Sequence, residues 1–420
     1  MHMGVTTQYI NLSSGEMLSF TVTQGGYYIE SAMDAITVAE KIHNNLVSQA
    51  FRIFILYADE TIAYEIAPED IKLGGSYSEN YQNGQRRSLN FTLYNHTGKY
   101  SPSANFLTPG TKIKFEMGAE LTNGQTIWFN KGIFIVQQVS VSHAPQGREV
   151  NVVCGDKFSL FEGNAGRLQS TYEIPTGTPI KEAIESFLLM DLGNGVVADP
   201  KPIIYHSSFL GKKTQCSISH QMGDKMSSLL LDLATQLSAE MFYNSNGNLV
   251  VTPSSEVTDD RNKPLLYNFT ADDGDFNQLS LSVNYDQIIN KVIVMGSSSS
   301  GGTYQATAVN DNSLSPFCYQ KIGFRVGEIV RDGSIFSNYL AQERANYELR
   351  KQIILKTTTS ATVLYNPLLE VNNLVSITDD FLDLMKTRFL LQGISCSLDY
   401  SNQMSITVCS LENLPFLGKK

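Results

Sequence analysis

The most constraining feature of this sequence is an internal repeat, in which Phe134–Cys154 aligns without a gap on Phe389–Cys409. Upstream of each copy lies another strand-like segment, Lys112–Met117 in the first and Leu374–Thr378 in the second. Each copy has the pattern of a strand, an irregular segment, a second strand, a turn and a third strand. We therefore predict two similar β domains in one chain. The identical residues are the pairs Phe134/Phe389, Gln137/Gln392, Ser140/Ser395, Ser142/Ser397, Val153/Val408 and Cys154/Cys409.

The gapless alignment predicts that Cys154 and Cys409 occupy equivalent buried positions. The last strand of the repeat does not fit this alignment well. Its apolar residues are Val150 and Val152 in the first copy and Met404 and Ile406 in the second, and these two sets do not fall at aligned positions.

Most of the remaining sequence has the period-two alternation of half-buried strands. Ser88–Tyr94 alternates polar and apolar residues and is followed by the turn residues Asn95–Gly98. Short strands separated by such turns predict an antiparallel barrel or sandwich. Further strands are predicted at Lys112–Met117, Thr126–Phe129, Ile133–Val141 and Glu149–Val153.

Four segments have helical spacing of apolar residues, and each is expected to pack on its own sheet. They are Ser31–Ser48, Ile180–Leu188 with Thr178 as its N-cap, Met226–Leu237, and a segment from about Ser334 to Arg350. The run Ser297–Gly302 follows a strand-like segment and is interpreted as a hairpin loop within one domain.

Composition excludes several classes of protein. A chain of 420 residues is too long for one hydrophobic core, and its net charge of −10 lacks the basic clusters that nucleic acids require. Five scattered cysteines without a CxxC pair predict free thiols and assembly in a reducing cytoplasm. No secretory signal and no transmembrane run are expected.

A search for catalytic and metal-binding motifs finds none that is specific. There is no Gly-x-Ser-x-Gly and no His-Glu-x-x-His, and the six histidines have no metal-ligand spacing. Gly211–Thr214 lacks the upstream glycine of a phosphate loop, and Asp272–Asp275 is interpreted as a solvated turn. We therefore predict no enzyme activity, no catalytic residue, no cofactor and no metal.

Two segments carry a resemblance to a known family. Ser76–Pro102, which includes Leu89-Asn-Phe-Thr-Leu-Tyr-Asn95 and Gly98-Lys-Tyr-Ser-Pro102, and then Pro109–Gly118 resemble the N-terminal tube domain of phage tail hub proteins. This is the baseplate hub family of contractile-tailed phages, tailocins and phage-like injection systems. The resemblance implies a homotrimer in which two barrel-like domains per chain make a pseudo-sixfold ring under the tail tube.

The expected fold is mainly β with an α+β insertion: two similar antiparallel barrel-like tube domains separated by a partly helical domain. The predicted domains are an N-terminal extension with one helix (1–48), a first tube-type β domain (49–163), an α+β middle domain (164–275) and a second tube-type β domain with one helix (276–420). The ring would join a sixfold tube to a threefold spike or tip. A trimer of duplicated domains can match a sixfold partner in this way.

The resemblance also implies partners and a place of action. The expected partners are further copies of the chain, the tail tube protein, a spike or tip protein, other baseplate proteins and the tape measure protein. DNA would pass without specific binding, and no stable membrane insertion is expected. The protein would be found at the tail baseplate or tip of a virion or tailocin. Residues proposed for protein interfaces are Arg86, Arg87, Leu414 and Phe416.

Two other functions remain open from the sequence. A tail-tip adhesin or carbohydrate-binding module would need an aromatic groove, although Trp128 is the only tryptophan. A cell-wall hydrolase would need paired carboxylates that only the fold brings together. For the hub, we expect few Lys and Arg residues on the inner wall, with Arg86, Arg87, Lys212 and Lys213 facing solvent or neighbouring proteins.

Overall fold

The computed structural model confirms the mainly β fold, since the described residues are mostly in strands with fewer in helices. The structure describes residues 5–11, 17–23, 42–101, 107–124, 126–144, 147–237, 239–253, 265–271, 275–281, 288–297, 303–333, 335, 337–356, 358–382 and 384–410.

The N-terminal region contains a two-stranded antiparallel sheet of β1 (Val5–Asn11) and β2 (Met17–Thr23). Of the predicted helix Ser31–Ser48, residues 31–41 lie outside the described residues and 42–45 are helical. The prediction is wrong for residues 46–48, which begin strand β3 (Leu46–Leu56), because this segment pairs along its length with a later strand.

The first β unit contains β3 and six further strands. They are β4 (Ile62–Glu65), β5 (Ile71–Asn80), β6 (Arg87–Tyr94), β7 (Lys112–Leu121), β8 (Thr126–Ala144) and β9 (Gly147–Asp156). The predicted break between Phe129 and Ile133 does not exist. Strand β8 continues through this segment with a bulge at Lys131, because Gly132 pairs with Phe115 and Asn130 pairs with Glu116.

The middle unit is mixed, and its two helices confirm the predicted Ile180–Leu188 and Met226–Leu237. Its elements are β10 (Tyr172–Ile174), α1 (Ile180–Leu188), β11 (Ile204–Tyr205), β12 (Ile218–His220), α2 (Met226–Leu237), β13 (Ala239–Tyr243) and β14 (Leu249–Pro253). The Thr178 N-cap is wrong: Pro179 occupies the cap position, and the Thr178 hydroxyl donates to the Pro175 carbonyl at 2.7 Å.

The second β unit carries an inserted subdomain of three strands and a long helix. Its elements are β15 (Leu265–Thr270), β16 (Phe276–Leu281), β17 (Lys291–Ser297), β18 (Thr303–Val309), α3 (Tyr319–Ile322), β19 (Val330–Asp332), α4 (Asn338–Lys356), β20 (Thr358–Leu364), β21 (Leu374–Asp379), β22 (Leu384–Leu398) and β23 (Gln403–Ser410). Strands β17 and β18 pair as a hairpin, as predicted. Helix α4 begins at Asn338, later than expected.

The two β units have the same strand order. The first runs β7-β8-β9-β6-β5 and the second β21-β22-β23-β20-β16, with every neighbouring pair antiparallel. Both central strands carry a bulge at the same place in the repeat, Gln137 in β8 and Gln392 in β22. The shared order and the shared bulge support the structural duplication that the sequence predicts.

The last strand of the repeat is shifted by one residue, so the expected match of the two cysteines is wrong. Cys154 pairs with Val136, whereas the equivalent Leu391 pairs with Val408. A slip of one residue turns a strand's side chains to the opposite face. Cys154 therefore packs in the core that the two β units share, and Cys409 packs in a separate core beneath α4.

The two β units join edge to edge. Strand β5 pairs antiparallel with residues Gly393–Leu398 of β22, which places Tyr77 opposite Cys396. One sheet therefore runs through both units in the order β16-β20-β23-β22-β5-β6-β9-β8-β7-β3-β4, with β15 and β21 beside it, and one hydrophobic core underlies it. Among the described residues, no helix combines the length and apolarity needed to cross a bilayer.

Candidate functional site

Across strands β16, β20, β23, β5, β6, β9 and the second half of β8, the sheet shared by the two β units has one apolar face and one polar face with very few charged residues. In β6 the side chains of Leu89, Phe91 and Leu93 are buried in the core, and the alternate positions Ser88 and Asn90 are exposed. This alternation recurs in β5 and β9, beside β6, because only one face of the sheet packs on a core there, whereas at Leu390 and Cys409 the other face is covered by α4.

Residues on the polar face are mostly small and hydroxyl-bearing, and they lie opposite one another across the strands. Ser395 pairs with Ser78 on one side and with Ser405 on the other. Ser78 in turn pairs with Ser88, and their Oγ atoms are 2.7 Å apart. Polar positions on this face, which we call the uncharged face, include Gln278, Ser280, Ser360, Thr362, Ser405, Thr407, Ser395, Ser397, Ser76, Ser78, Ser88, Asn90, Thr92, Asn151, Gln138, Ser140 and Ser142.

Charge enters this face at one margin. Lys72 near the start of β5 and Glu149 on β9 form an ion pair of 2.8 Å there. Elsewhere, in the parts of strands β16, β20, β23, β5, β6, β9 and the second half of β8 that the structure describes, the outward positions carry no Lys, Arg, Asp or Glu. Protein surfaces usually mix both signs of charge, so a face of this extent without charge is distinctive.

A second cluster of polar residues is buried where the three units meet. Glu240 of β13, in the middle unit, accepts hydrogen bonds from the Tyr81 hydroxyl at 2.8 Å and from Arg86 Nη2 at 2.8 Å, both in the first β unit. Its Oε2 also accepts from Asn372 Nδ2 of the second β unit at 3.2 Å. One carboxylate therefore contacts all three units.

Arg86 and Arg87, proposed from the sequence as solvent- or partner-facing residues, are buried inside the chain instead, at 3% and 4% exposure. Arg86 stacks over the ring of Phe242 at 3.7 Å. Arg87 forms an ion pair of 2.7 Å with Glu79 and donates to the Tyr243 carbonyl. The expectation of exposure is wrong because buried carboxylates pair with both guanidinium groups, Glu240 from a distant segment with Arg86 and Glu79 from the neighbouring strand with Arg87.

The backbone around these arginines is held by a buried acid. Asp156 accepts from the backbone N–H groups of Arg86, Arg87 and Phe158 at 2.8, 3.0 and 2.9 Å. Burial raises the pKa of Asp156 to about 6, and those hydrogen bonds oppose the rise.

Next to it, Lys157 is fully buried between two carboxylates. Its Nζ lies 2.6 Å from Glu60 and 2.9 Å from Asp199. Lys201 also contacts Glu60, at 2.6 Å. Burial alone would raise the pKa of Glu60, but Lys157 and Lys201 hold it at about 2.

Local sequence gives little indication of this junction, since its partners come from segments far apart in the chain. Only Glu79 and Arg87 could have been paired in advance, because they lie across the hairpin formed by β5 and β6. The other proposed interface residues, Leu414 and Phe416, lie outside the described residues. Lys212 and Lys213 are exposed, as predicted.

The motif search gains no support for catalysis from the structure. Within the described part of the chain, no group of His, Cys, Asp and Glu has the arrangement of a metal site. Asp275 is not in a solvated turn, because it is buried and lies 3.2 Å from His43 while accepting from the Thr270 backbone; Asp272, Asp273 and Gly274 lie outside the described residues. All five cysteines are free thiols.

No protein-family model matches the chain, and no curated protein matches its sequence. Solved structures do match. The 43 kDa tail protein of prophage MuSo2 from Shewanella oneidensis superposes with a TM-score of 0.55 at 16% identity, over 87% of this chain and 100% of that one. A tail protein from Neisseria meningitidis MC58 gives 0.57 at 12% identity, over 87% and 98%.

The chain has a phage tail protein fold. The same fold extends to a chain of the Francisella PdpA-VgrG complex, with a TM-score of 0.53 at 11% identity over 91% of this chain and 56% of that chain. The matched fold covers 87–91% of the present chain.

Proposed function

We propose that this chain is the structural hub of a phage-type tail: a trimeric adaptor that joins a sixfold tail tube to a threefold spike or tip. The observation that carries the proposal is the repeated strand order of the two β units within a chain that has a tail protein fold. Three copies would present six similar units, which matches a threefold partner on one side and a sixfold partner on the other.

The uncharged face supports a role in passage through the ring. A wall that neutralised phosphates with Lys or Arg would bind DNA through released counterions, and a strongly acidic wall would repel it. Hydroxyl and amide groups do neither. We infer that this face lines the lumen, through which DNA or a tape measure protein moves without specific binding.

The junction supports the same role. In an adaptor between two protein assemblies the three units must keep a fixed arrangement, and a carboxylate that contacts all three units provides a directional contact. The proposed partners are the tail tube protein, a spike or tip protein, other baseplate proteins and the tape measure protein. The proposed location is the tail baseplate or tip of a virion or tailocin particle.

The ring is tested by the mass of the purified chain in light scattering over a range of concentrations, followed by electron microscopy of the chain with its tube and spike proteins. A threefold ring with six similar lobes is expected. A twofold or sixfold arrangement of this chain in the intact tail would overturn the proposal.

We also propose that the chain acts without catalysis. Incubation of the purified chain with peptidoglycan should release no soluble fragments. Cleavage that is lost when one Asp or Glu is changed to Ala would overturn this part and favour a hydrolase.

A further inference from the structure

The seam between the two β units has an equivalent that is unoccupied among the described residues of one chain. At the seam, β5 of the first unit pairs with Gly393–Leu398 of β22. The shared strand order makes β16 the equivalent of β5, and the repeat makes Gln138–His143 of β8 the equivalent of Gly393–Leu398. The internal symmetry thus identifies a second pair of strand edges that correspond to the occupied seam.

Both of these edges are open among the described residues. Strand β16 ends the strand order, and β20 is the one described strand that pairs with it. Residues Gln138–His143 pair with β9 on one side, whereas β7 contacts β8 only as far as Ile135. Unpaired strand edges are templates for pairing with another chain.

The exposure of equivalent residues indicates that no described segment of the chain covers the β8 edge. Cys396 of β22 is 2% exposed because Tyr77 of β5 lies opposite it. Its equivalent in β8 is Val141, which is 45% exposed. An apolar residue is therefore uncovered at the position where the seam covers its counterpart.

We propose that the Leu279–Leu281 end of β16 in one copy pairs antiparallel with Val141–His143 of the next copy of this chain, so that the sheet continues from copy to copy. The inference rests on the proposed ring and defines its interface. The register follows from the seam: Ser76 lies opposite Ser397, and the equivalent pair is Ser280 opposite Ser142.

The register is fixed by the pairing of each edge strand with its inner neighbour. Ser76 pairs with Asn90, which pairs with Val153, and Ser280 pairs with Ser360, which pairs with Thr407. Since Val153 and Thr407 both follow the shared bulge, Ser76 and Ser280 are equivalent. The uncharged face would then cross from one copy to the next as an unbroken row of hydroxyl groups.

Disulfide trapping tests the pairing, because directly opposite residues on antiparallel strands have Cβ atoms about 4.5–5.5 Å apart, close to disulfide distance. In a Cys216→Ser background, the double variant Ser142→Cys/Ser280→Cys should give covalent dimers and trimers on a non-reducing gel after mild oxidation. Neither single variant should do so. The intrachain pair Ser76→Cys/Ser397→Cys is the positive control and should lose two free thiols without a change in chain mass.

A matched variant tests the register. Ser140→Cys combined with Ser280→Cys places the first thiol on the same face and strand but two residues from the inferred partner. Its cross-linked fraction should be at least about tenfold lower, since diagonal neighbours lie about 7–8 Å apart.

A charge at the open edge gives an independent measurement. Val141→Lys should weaken trimer formation in light scattering by at least about tenfold, because an edge lysine opposes strand addition. Val196→Lys, at a residue of 60% exposure in the middle unit, is the control and should leave assembly unchanged.

The outcomes separate the edge pairing from the hub proposal. A threefold ring in which Ser142→Cys/Ser280→Cys forms no covalent link, or links no better than Ser140→Cys/Ser280→Cys, overturns the edge pairing and leaves the ring intact. A chain that stays monomeric at every concentration and with its tube and spike partners, and forms no link, overturns both.

Discussion

The guanidinium of Arg86 lies 2.8 Å from the carboxylate of Glu240, with both side chains almost completely buried. Arg86 precedes β6 in the first β unit, and Glu240 belongs to the middle unit. Removing one partner of a buried ion pair leaves the other charge without compensation, which costs far more than the loss of a surface pair.

Glu240→Gln should therefore lower the free energy of unfolding by about 3–5 kcal/mol, measured by urea denaturation. Lys181→Ala, which removes an exposed pair with Glu185 on α1, is the control and should cost less than about 1 kcal/mol. Equal losses for the two variants would contradict a structural role for the buried junction.

The stability contributed by Glu60 should depend on pH. Its pKa in the folded chain is about 2, below its ordinary value of 4.5. A group whose pKa is lowered on folding stabilises the fold above its unfolded pKa, and this stabilisation is lost as pH falls from about 4.5 towards 2. Glu60→Gln should therefore lower the melting temperature at neutral pH, and the difference from the parent should shrink between about pH 4.5 and pH 2. Glu69→Gln, at an exposed acid nearby, is the control. A difference that stays constant across this range would refute the assignment.

Thiol labelling should distinguish the cysteines by burial. Cys154 and Cys409 are about 1% and 0% exposed, Cys318 and Cys396 are also buried, and Cys216 is half-buried. Burial raises the pKa of Cys154, and raises that of Cys396 to about 12, which lowers the reactive thiolate fraction. A brief treatment of native protein with a thiol reagent should modify Cys216 first, as read by mass spectrometry of peptides. Cys216→Ser should remove the early signal. Early labelling of Cys409 would contradict its position beneath α4.

The uncharged face should be intolerant of positive charge in function but not in folding. Ser78→Lys combined with Ser395→Lys places two cations at adjacent positions of the inferred lumen wall. Particles carrying this variant should assemble, retain DNA more strongly and eject it more slowly, and the defect should weaken as salt rises. Ser78→Gln/Ser395→Gln adds similar bulk without charge and serves as the control. Identical ejection by the lysine and glutamine variants would place this face outside the lumen.

Sequence periodicity predicted much of this fold, because a strand with one buried face must alternate. Segments such as Ser88–Tyr94 and helices such as Met226–Leu237 therefore appear almost as expected. The slip that separates Cys154 from Cys409 could not be read with certainty. It depends on the turn that joins the last two strands and on which of their side chains are buried in each core. The poor match between the apolar positions of the two last strands, Val150 in one and Met404 in the other, was an indication of it.

The candidate site was much harder to predict. Arg86 and Arg87 stand beside polar neighbours in the sequence, and only the fold brings Glu240 to one of them. The continuity of the uncharged face was equally hidden, since Ser78 and Ser395 are distant in sequence and meet only through tertiary pairing. Local pattern identifies which face of a strand is polar, whereas the order of strands determines how far that face extends.

The backbone hydrogen bonds between β5 and β22 have a mechanical consequence. Two lobes joined by a flexible linker could swing apart under pressure from a passing polymer, but two lobes that share one sheet and one core move as a stiff arc. In the proposed ring, any widening or narrowing of the bore would then occur at the joints between copies, and the aperture would be governed by those joints rather than by bending of the chain itself.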